Sequence, residues 1–521
     1  MFEALGRPAV LAPALLVVGW LIYHVFFKPS KLPDIPILGA KESDWFPLLQ
    51  AKWRNTLDFK AAVKLADAKY RDQAVIMPLA GSGNMILLPR SEIQFVTDQP
   101  DEVLNLHTSA IENLQIDYTC TDPYLVHNPV HHKIITTTLT NQIGNLVPDV
   151  ADETEWGFDK HWGDCTEWTE VCVYDTLRRV IGNVTNRVFV GHPICRDPTL
   201  LDVGMAYAQY VPLTSQILRI VWKPIRPLAA LFLTLPIRWR TYQFDKILRP
   251  EITARLAAYD ARQADPEESK SVREPEPNDF LQWTIKQAKT SGDSYMWKPS
   301  TLSGRILLLN FAAIHTSSFS ITNAILDLVA SKQEYVDELR AEIESVLAEF
   351  GGEWNKRALA KMHKLDSVFR ESARLNSFVT VGLGRAVVAK EGITTPSGVH
   401  IPQGYSVAVP SYPVLQDNDV YPDAQSFVPF RFSDERKDES IDYVKRAGKA
   451  FATTSNEYLA FGHGRNACPG RFFAANELKL MLAHVVMTYD LEIKGTRERN
   501  KWYGLNRVPP MEATIRVRRR R

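Results

Sequence analysis

The chain has 521 residues, 45% of them hydrophobic, enough to bury a large core and to allow more than one domain. Lys and Arg number 61 against 60 Asp and Glu, so no charge excess argues for nucleic acid or a strongly acidic surface as the main partner. The five cysteines (Cys120, Cys165, Cys172, Cys195 and Cys468) are odd in number, widely spread and without a CxxC pair. Neither a disulfide framework nor a zinc ribbon is signalled, and the chain reads as facing a reducing cytosol.

The N-terminus differs in kind from the rest. From Pro8 to Phe27, "PAVLAPALLVVGWLIYHVFF" carries no charged residue, and a helix of that length spans about 30 Å, the thickness of a bilayer core. Bulky "YHVFF" runs straight into Lys28, Pro29 and Lys31, which favours a retained anchor over a cleaved signal peptide. Residues 1–28 are therefore read as a single transmembrane anchor, with the two lysines favouring a cytoplasmic main body. The prolines of "KPSKLPDIPILG" are expected to form a stiff spacer, and residues 29–521 are read as one domain.

In chain order, "AVIMPLAGSGNMILLP" predicts a strand pair turning at Gly81 and Gly83. A long helical middle follows, interrupted by the charged, proline-rich "ADPEESKSVREPEPND" (Ala264 to Asp279), read as a surface loop. The apolar stretch Thr301 to Ala330 contains Arg305, Asn310, His315, Asn323 and Asp327, so it predicts a helix through a soluble core and not a second membrane span. Within it, Thr316 is placed to donate to the carbonyl of Ala312. "DELRAEIESVLAEFGG" predicts a helix stopping at Gly351, and "GVHIPQGYSVAVPS" returns to strands. The fold class is mainly α with small β-sheets.

"FGHGRNACPGRFFAANE" (Phe461 to Glu477) sets one cysteine between a glycine-rich run and a helix start. A thiolate is the soft ligand that holds haem iron and pushes electron density toward oxygen–oxygen cleavage. A loop lying flat on a porphyrin needs small or permissive residues, here Gly462, Gly464 and Gly470. Amides around the following helix start can stabilise the sulfur, with Pro469 expected at the first helical position and Phe461 covering the sulfur.

On these residues the chain resembles the cytochrome P450 family, most closely its membrane-anchored, endoplasmic-reticulum, fungal members, and the landmarks run in order along nearly the whole sequence. "FGHGRNACPG" resembles the cysteine-ligand loop, so Cys468 is the implied axial ligand of haem b, with Phe461, Gly462, Gly464 and Arg465 around it. "ESAR" resembles the Glu-x-x-Arg helix and "FVPFRF" the segment that joins it, implying a structural triad of Glu371, Arg374 and Arg431. "AAIHT" resembles the oxygen-binding helix, with Thr316 at its threonine. Arg385 in "GLGRAVV" resembles a propionate-binding arginine.

The chain departs from that pattern in three places. Asn466 stands where Arg or His usually reaches a propionate. His127, His131, His132 and Lys133 in "VHNPVHHK" fall where a helix usually offers Trp or His and then Arg, so one of them is expected at a propionate. A zinc site built from those histidines is the rival reading, but no acidic or cysteine ligand stands beside them at helical spacing. His315 replaces the acid that usually precedes the threonine; it either donates protons to oxygen or faces away in a structural hydrogen bond.

The resemblance implies a monooxygenase that oxidises a hydrophobic small molecule, a terpenoid, polyketide or alkaloid of fungal secondary metabolism, using O2. Nothing resembles a flavin or nicotinamide module, so electrons are expected from an NADPH-cytochrome P450 reductase docking on Lys445, Arg446, Lys449, Arg465 and Arg471. The terminal "RVRRRR" reads as a lipid contact or a frayed tail, and the sequon at Asn183 as silent. Candidate pocket residues are Asn113 to Tyr118, Leu308 to Thr316 and Ser377 to Leu383. Two rival readings are a haem-thiolate isomerase or dehydratase and a non-enzymatic membrane haem protein; retention of Thr316 weighs against both.

Overall fold

Pro299 occupies the first turn of a 31-residue helix, Pro299–Val329, where its missing N–H costs nothing. This central helix packs most extensively against Val173–Val190, Pro198–Ile220, Leu235–Ala264, His363–Leu375 and Arg471–Thr488. Leu302, Ile306, Ile314 and Ile321 are fully buried in those contacts, each contributing about 1.5–3 kcal/mol. The helix stays accessible along Leu308, Ala312, Thr316 and Ser320, four residues apart and hence on one face. A continuous accessible stripe on an otherwise buried helix marks the wall of an internal chamber.

The structure, a computed structural model, describes residues 19–20, 32–264 and 275–520. Its main sheet has five strands in the order Val75–Leu79, Gly83–Leu87, Ser406–Val409, Gly382–Val387 and Leu104–Asn105. The predicted hairpin forms with Val75 opposite Leu87, and Gly81 takes φ +82° at the turn. Gly382–Val387 runs antiparallel to Ser406–Val409 with a register shift between Gly382 and Arg385, where Leu383 is forced to φ +54°. Such a bulge re-aims the residues beside it, Arg385 among them. The helix Gln333–Glu349 ends as expected, with Gly351 at φ +69° and the Gly352 amide donating to the Leu347 carbonyl.

Several expectations change in the fold. Asp279 is not part of a surface loop: it is buried, accepts from the Gln282 amide to cap the helix Phe280–Ser291, and pairs with Arg255 at 2.6 Å. Most of the loop predicted before it lies outside the described residues. The described part of the C-terminal arginine run, through Arg520, is not a frayed tail. Thr514–Arg519 is the central strand of a three-stranded sheet, and Arg516, Arg518 and Arg519 pair with Glu492, Asp490 and Asp159. Asn183 is 1% exposed and donates to the Cys195 carbonyl. Among the described residues no helix is long and apolar enough to cross a membrane. The predicted anchor lies outside them except for Gly19 and Trp20.

Candidate active site

The cysteine loop is shaped by its glycines. Gly462 and Gly464 take φ +69° and +73°, and a Cβ on Gly464 would lie 2.9 Å from Thr97 Cβ, so only glycine fits there. The Cys468 amide donates to the Phe461 carbonyl at 2.8 Å, closing the loop, and the Phe461 ring packs on Phe451 at 5.0 Å. Pro469 does not begin the helix: Arg471–Thr488 starts two residues later, with Gly470 as its cap at an ordinary φ of −86°. With the later start the Gly470 and Arg471 amides both reach Cys468 Sγ, the Arg471 amide being shared with the Cys468 carbonyl at 3.4 Å. Burial pushes the Cys468 thiol up, and those amides with the Arg471 charge pull it back. Cys468 is nonetheless accessible, so its sulfur faces open space inside the protein.

Behind the loop, Glu371 and Arg374 are fully buried one helical turn apart. Arg374 Nε and Nη2 donate to the two Glu371 carboxylate oxygens at 2.8 Å each, and Arg431 Nε reaches both at 3.2 Å. Arg374 Nη1 continues to the Leu415 and Ala424 carbonyls. One turn earlier on the same helix, Arg370 donates to the Ala450 and Thr453 carbonyls, and Asp366 accepts from the Phe451 amide. A single helix thus pins the long irregular segment that leads into the cysteine loop.

On the central helix, Thr316 Oγ1 donates to the Ala312 carbonyl at 2.8 Å, as the sequence predicts, and lies on the accessible stripe. His315 is turned about 100° away. Its Nδ1 lies 2.8 Å from the Tyr174 hydroxyl and its Nε2 3.4 Å from the Met205 carbonyl. A carbonyl only accepts, so Nε2 carries the proton and Nδ1 accepts from Tyr174. Burial holds His315 below the usual histidine range. Of the two roles open to it in the sequence, its geometry is that of the structural hydrogen bond, because both ring nitrogens are engaged away from the stripe.

The profile of the Cytochrome P450 family matches residues 115–510. The chain is a cytochrome P450. It is 34% identical to cytochrome P450 monooxygenase 103 of Postia placenta over 97% of each chain. It is 28% identical to cytochrome P450 monooxygenase pbrC of Penicillium brasilianum, covering 98% of this chain and 96% of that one. A solved structure, retinoic acid bound cyanobacterial CYP120A1, superposes with a TM-score of 0.64 at 19% identity, over 90% of this chain and 96% of that one, which shows the fold. The protein is a fungal-type haem-thiolate monooxygenase, with haem as cofactor, O2 as co-substrate and electrons supplied by a reductase.

The residues of this P450 fit such a cofactor. Cys468 offers a sulfur with two amides aimed at it and open space before it. Arg385 is 3% exposed, yet among the described residues its only hydrogen bond goes to the neighbouring Gly384 carbonyl and it forms no ion pair; burial pushes its guanidinium down, with Asp101 opposing only at a distance. A buried cation without a carboxylate is costly unless an anion joins it, which a porphyrin propionate would. His132 shares the signature of Cys468: it is accessible, yet desolvation lowers its pKa. His131 is driven down to about 3 by burial and packs edge-on to His132 with its Nδ1 3.4 Å from Arg305. His127 is exposed against Asp117 at 3.1 Å, and Lys133 is exposed. Arg465 donates to the Asp98 and Gln99 carbonyls, and Asn466 to Asp101.

Two residues of this neighbourhood escaped sequence reasoning. His107 is drawn beside His127 with a buried Nε2 that has no partner. Glu477 reaches from the helix after Cys468 to Thr185 and Ser317 at 2.8 and 3.4 Å. Neither carried a sequence signal, because a single His or Glu on a helix is common and only the packing covers the His107 Nε2 and buries Glu477.

Proposed function

We propose that this cytochrome P450 oxidises a hydrophobic small molecule of fungal secondary metabolism, of terpenoid, polyketide or alkaloid type. Electrons come from an NADPH-dependent reductase, and the catalytic domain faces the cytosol from an anchor in the endoplasmic reticulum membrane. The observation that carries the reading is Cys468: an accessible sulfur with two amide donors, on a helix start packed against the helix that bears Thr316.

Haem held there supplies the reductive activation of dioxygen and the transfer of one oxygen atom to a C–H bond. Cys468 Sγ would bind the iron, its negative charge stabilised by the Gly470 and Arg471 amides. Arg385 and His132 would hold the propionates, the guanidinium gaining the anion that its burial demands. Leu308, Ala312 and Ala313 give the chamber an apolar wall that orients substrate and limits water. Thr316 Oγ1 spends its proton on the Ala312 carbonyl, so its oxygen lone pairs can accept from a water and order it beside the reacting oxygen. His315, held neutral by burial and bonded to Tyr174 and Met205, positions the helix.

Membrane attachment is supported by a collar of exposed apolar side chains on one side of the fold: Trp222 46%, Ile225 50%, Leu228 62%, Leu231 51% and Phe232 69%. Trp20, in the apolar N-terminal stretch, packs on Trp222 at 6.4 Å, so anchor and collar are continuous. Reductase docking is supported by Lys445, Arg446 and Arg471 near the cysteine loop, whereas Lys449 is already paired with Glu435.

The carbon monoxide difference spectrum of the reduced protein tests the reading. Wild type is expected to give the long-wavelength thiolate band and Cys468→Ala to lose it. Equal spectra from the two, or no haem in either, would overturn the assignment.

A further inference from the structure

We infer that Glu477 is a positioning residue for oxygen activation: from the helix that starts beside Cys468 it holds Ser317, and thereby fixes the turn of the central helix that presents Thr316. The inference rests on the proposed role of Thr316 and adds the residue that keeps that role in place.

The central helix carries a run of hydroxyls at Thr316, Ser317, Ser318 and Ser320. Three of them bond back to their own helix: Thr316 Oγ1 donates to the Ala312 carbonyl at 2.8 Å, Ser318 Oγ to the Ile314 carbonyl at 2.6 Å and Ser320 Oγ to the Thr316 carbonyl at 3.0 Å. Each such bond competes with the backbone ladder and lets a helix bend, so this turn does not fix its own curvature. Ser317 differs. Among the described residues its Oγ makes no bond to its own helix and lies instead 3.4 Å from Glu477 Oε2 on the helix Arg471–Thr488. Ser317 is buried and turned about 100° from Thr316, so the helix is gripped behind the accessible stripe while Thr316 stays open to the chamber.

Glu477 is held in its turn. Its Oε1 accepts from Thr185 Oγ1 at 2.8 Å, and Thr185, fully buried, belongs to the helix Val173–Val190. The carboxyl therefore joins three helices at one point. Val173–Val190 also carries Tyr174, whose hydroxyl meets His315. The two residues that flank Thr316 are thus both tied to other helices, and the threonine between them faces the chamber. No ion pair among the described residues accounts for the carboxyl: Lys479, on the same helix, is taken by Asp366 and the Leu359 carbonyl. Burial raises Glu477 to about 7, and only the two hydroxyls oppose the shift. A methionine would fill the place without desolvating a polar group. What the carboxyl contributes is direction, with one oxygen for Thr185 and the other for Ser317.

The test reads the infrared stretching band of carbon monoxide bound to the reduced full-length holoenzyme, which responds to polar groups beside the gas and needs no substrate. Thr316→Ala sets the shift caused by loss of the hydroxyl. Glu477→Met and Ser317→Ala are expected to displace the band toward that of Thr316→Ala, and the double variant to go no further than either, because both break one tie. Glu477→Gln, which keeps both hydroxyl contacts, should retain the wild-type band. Amide hydrogen exchange in Glu477→Met should quicken on the order of tenfold over residues 314–321 and stay at the wild-type rate over 301–309. A wild-type band in Glu477→Met or in Ser317→Ala, a band displaced by Glu477→Gln, or exchange that quickens evenly along the helix would overturn the proposal. Should Glu477→Met take up no haem, Ser317→Ala decides by the same band. A Thr316→Ala band equal to wild type would remove the threonine from the oxygen site and the proposal with it. A displaced Thr316→Ala band beside an unmoved Glu477→Met band would sink the proposal while leaving the role of Thr316 standing.

Discussion

The Tyr174 hydroxyl lies 2.8 Å from His315 Nδ1 and fixes the imidazole on the side of the central helix away from Thr316. The titratable side chain next to the threonine in sequence is thereby withdrawn from the accessible stripe. His315→Asn is expected to leave product formed per NADPH consumed within about twofold of wild type and the pH profile unmoved. It should cost about 1–3 kcal/mol of stability through the unpartnered Tyr174 hydroxyl. Thr316→Ala should cut coupled product formation on the order of a hundredfold. A displaced pH profile in His315→Asn would restore the histidine as the proton donor.

Arg385 gives an unusual pair of expectations. It is buried with no ion pair among the described residues and Asp101 acts on it only at a distance, so Arg385→Leu removes a poorly compensated charge from the haem-free protein. The apoprotein should melt at the same or a higher temperature, while haem retention during gel filtration falls. A variant that loses stability as apoprotein and keeps its haem would show that Arg385 serves the fold alone.

Glu477 sets a pH dependence of stability. Burial raises its carboxyl from 4.5 to about 7, with Thr185 and Ser317 opposing weakly and no cation nearby. Between those values the folded protein keeps a proton that the unfolded chain has lost, so stability declines as pH rises toward 7 and is then level. Glu477→Gln keeps both hydroxyl contacts and should be more stable than wild type at pH 8 by on the order of 3 kcal/mol, with no gain at pH 4. His484 acts in the opposite sense: burial lowers it to about 4, so stability is lost as pH falls below about 6.5. Denaturant titrations of wild type and Glu477→Gln across this range check both signs.

The Glu371–Arg374 fork predicts a large structural effect. Glu371→Ala strands a fully buried Arg374 and frees Arg431 and the Val428 amide. It should cost on the order of 3–5 kcal/mol, seen as a lowered melting temperature and loss of the carbon monoxide band. Glu371→Gln, which keeps the shape without the charge, should lie between the two.

Much of this protein is determined by local sequence, because its devices are local. Glycines that alone tolerate positive φ flank Cys468, Glu371 and Arg374 stand one helical turn apart, and Thr316 bonds its own helix at Ala312. Each follows from backbone geometry or 3.6-residue spacing, so residue order suffices. Tertiary structure decided what depends on distant chain. Thr514–Arg519 became a central strand because acidic residues and two strand partners meet it there. Pro469 stayed outside the helix so that two amides could face the sulfur. His315 was assigned its side by Tyr174, 141 residues away. The direction of a buried polar side chain is set by which partner packing brings within about 3 Å, and no periodicity in the sequence encodes that partner.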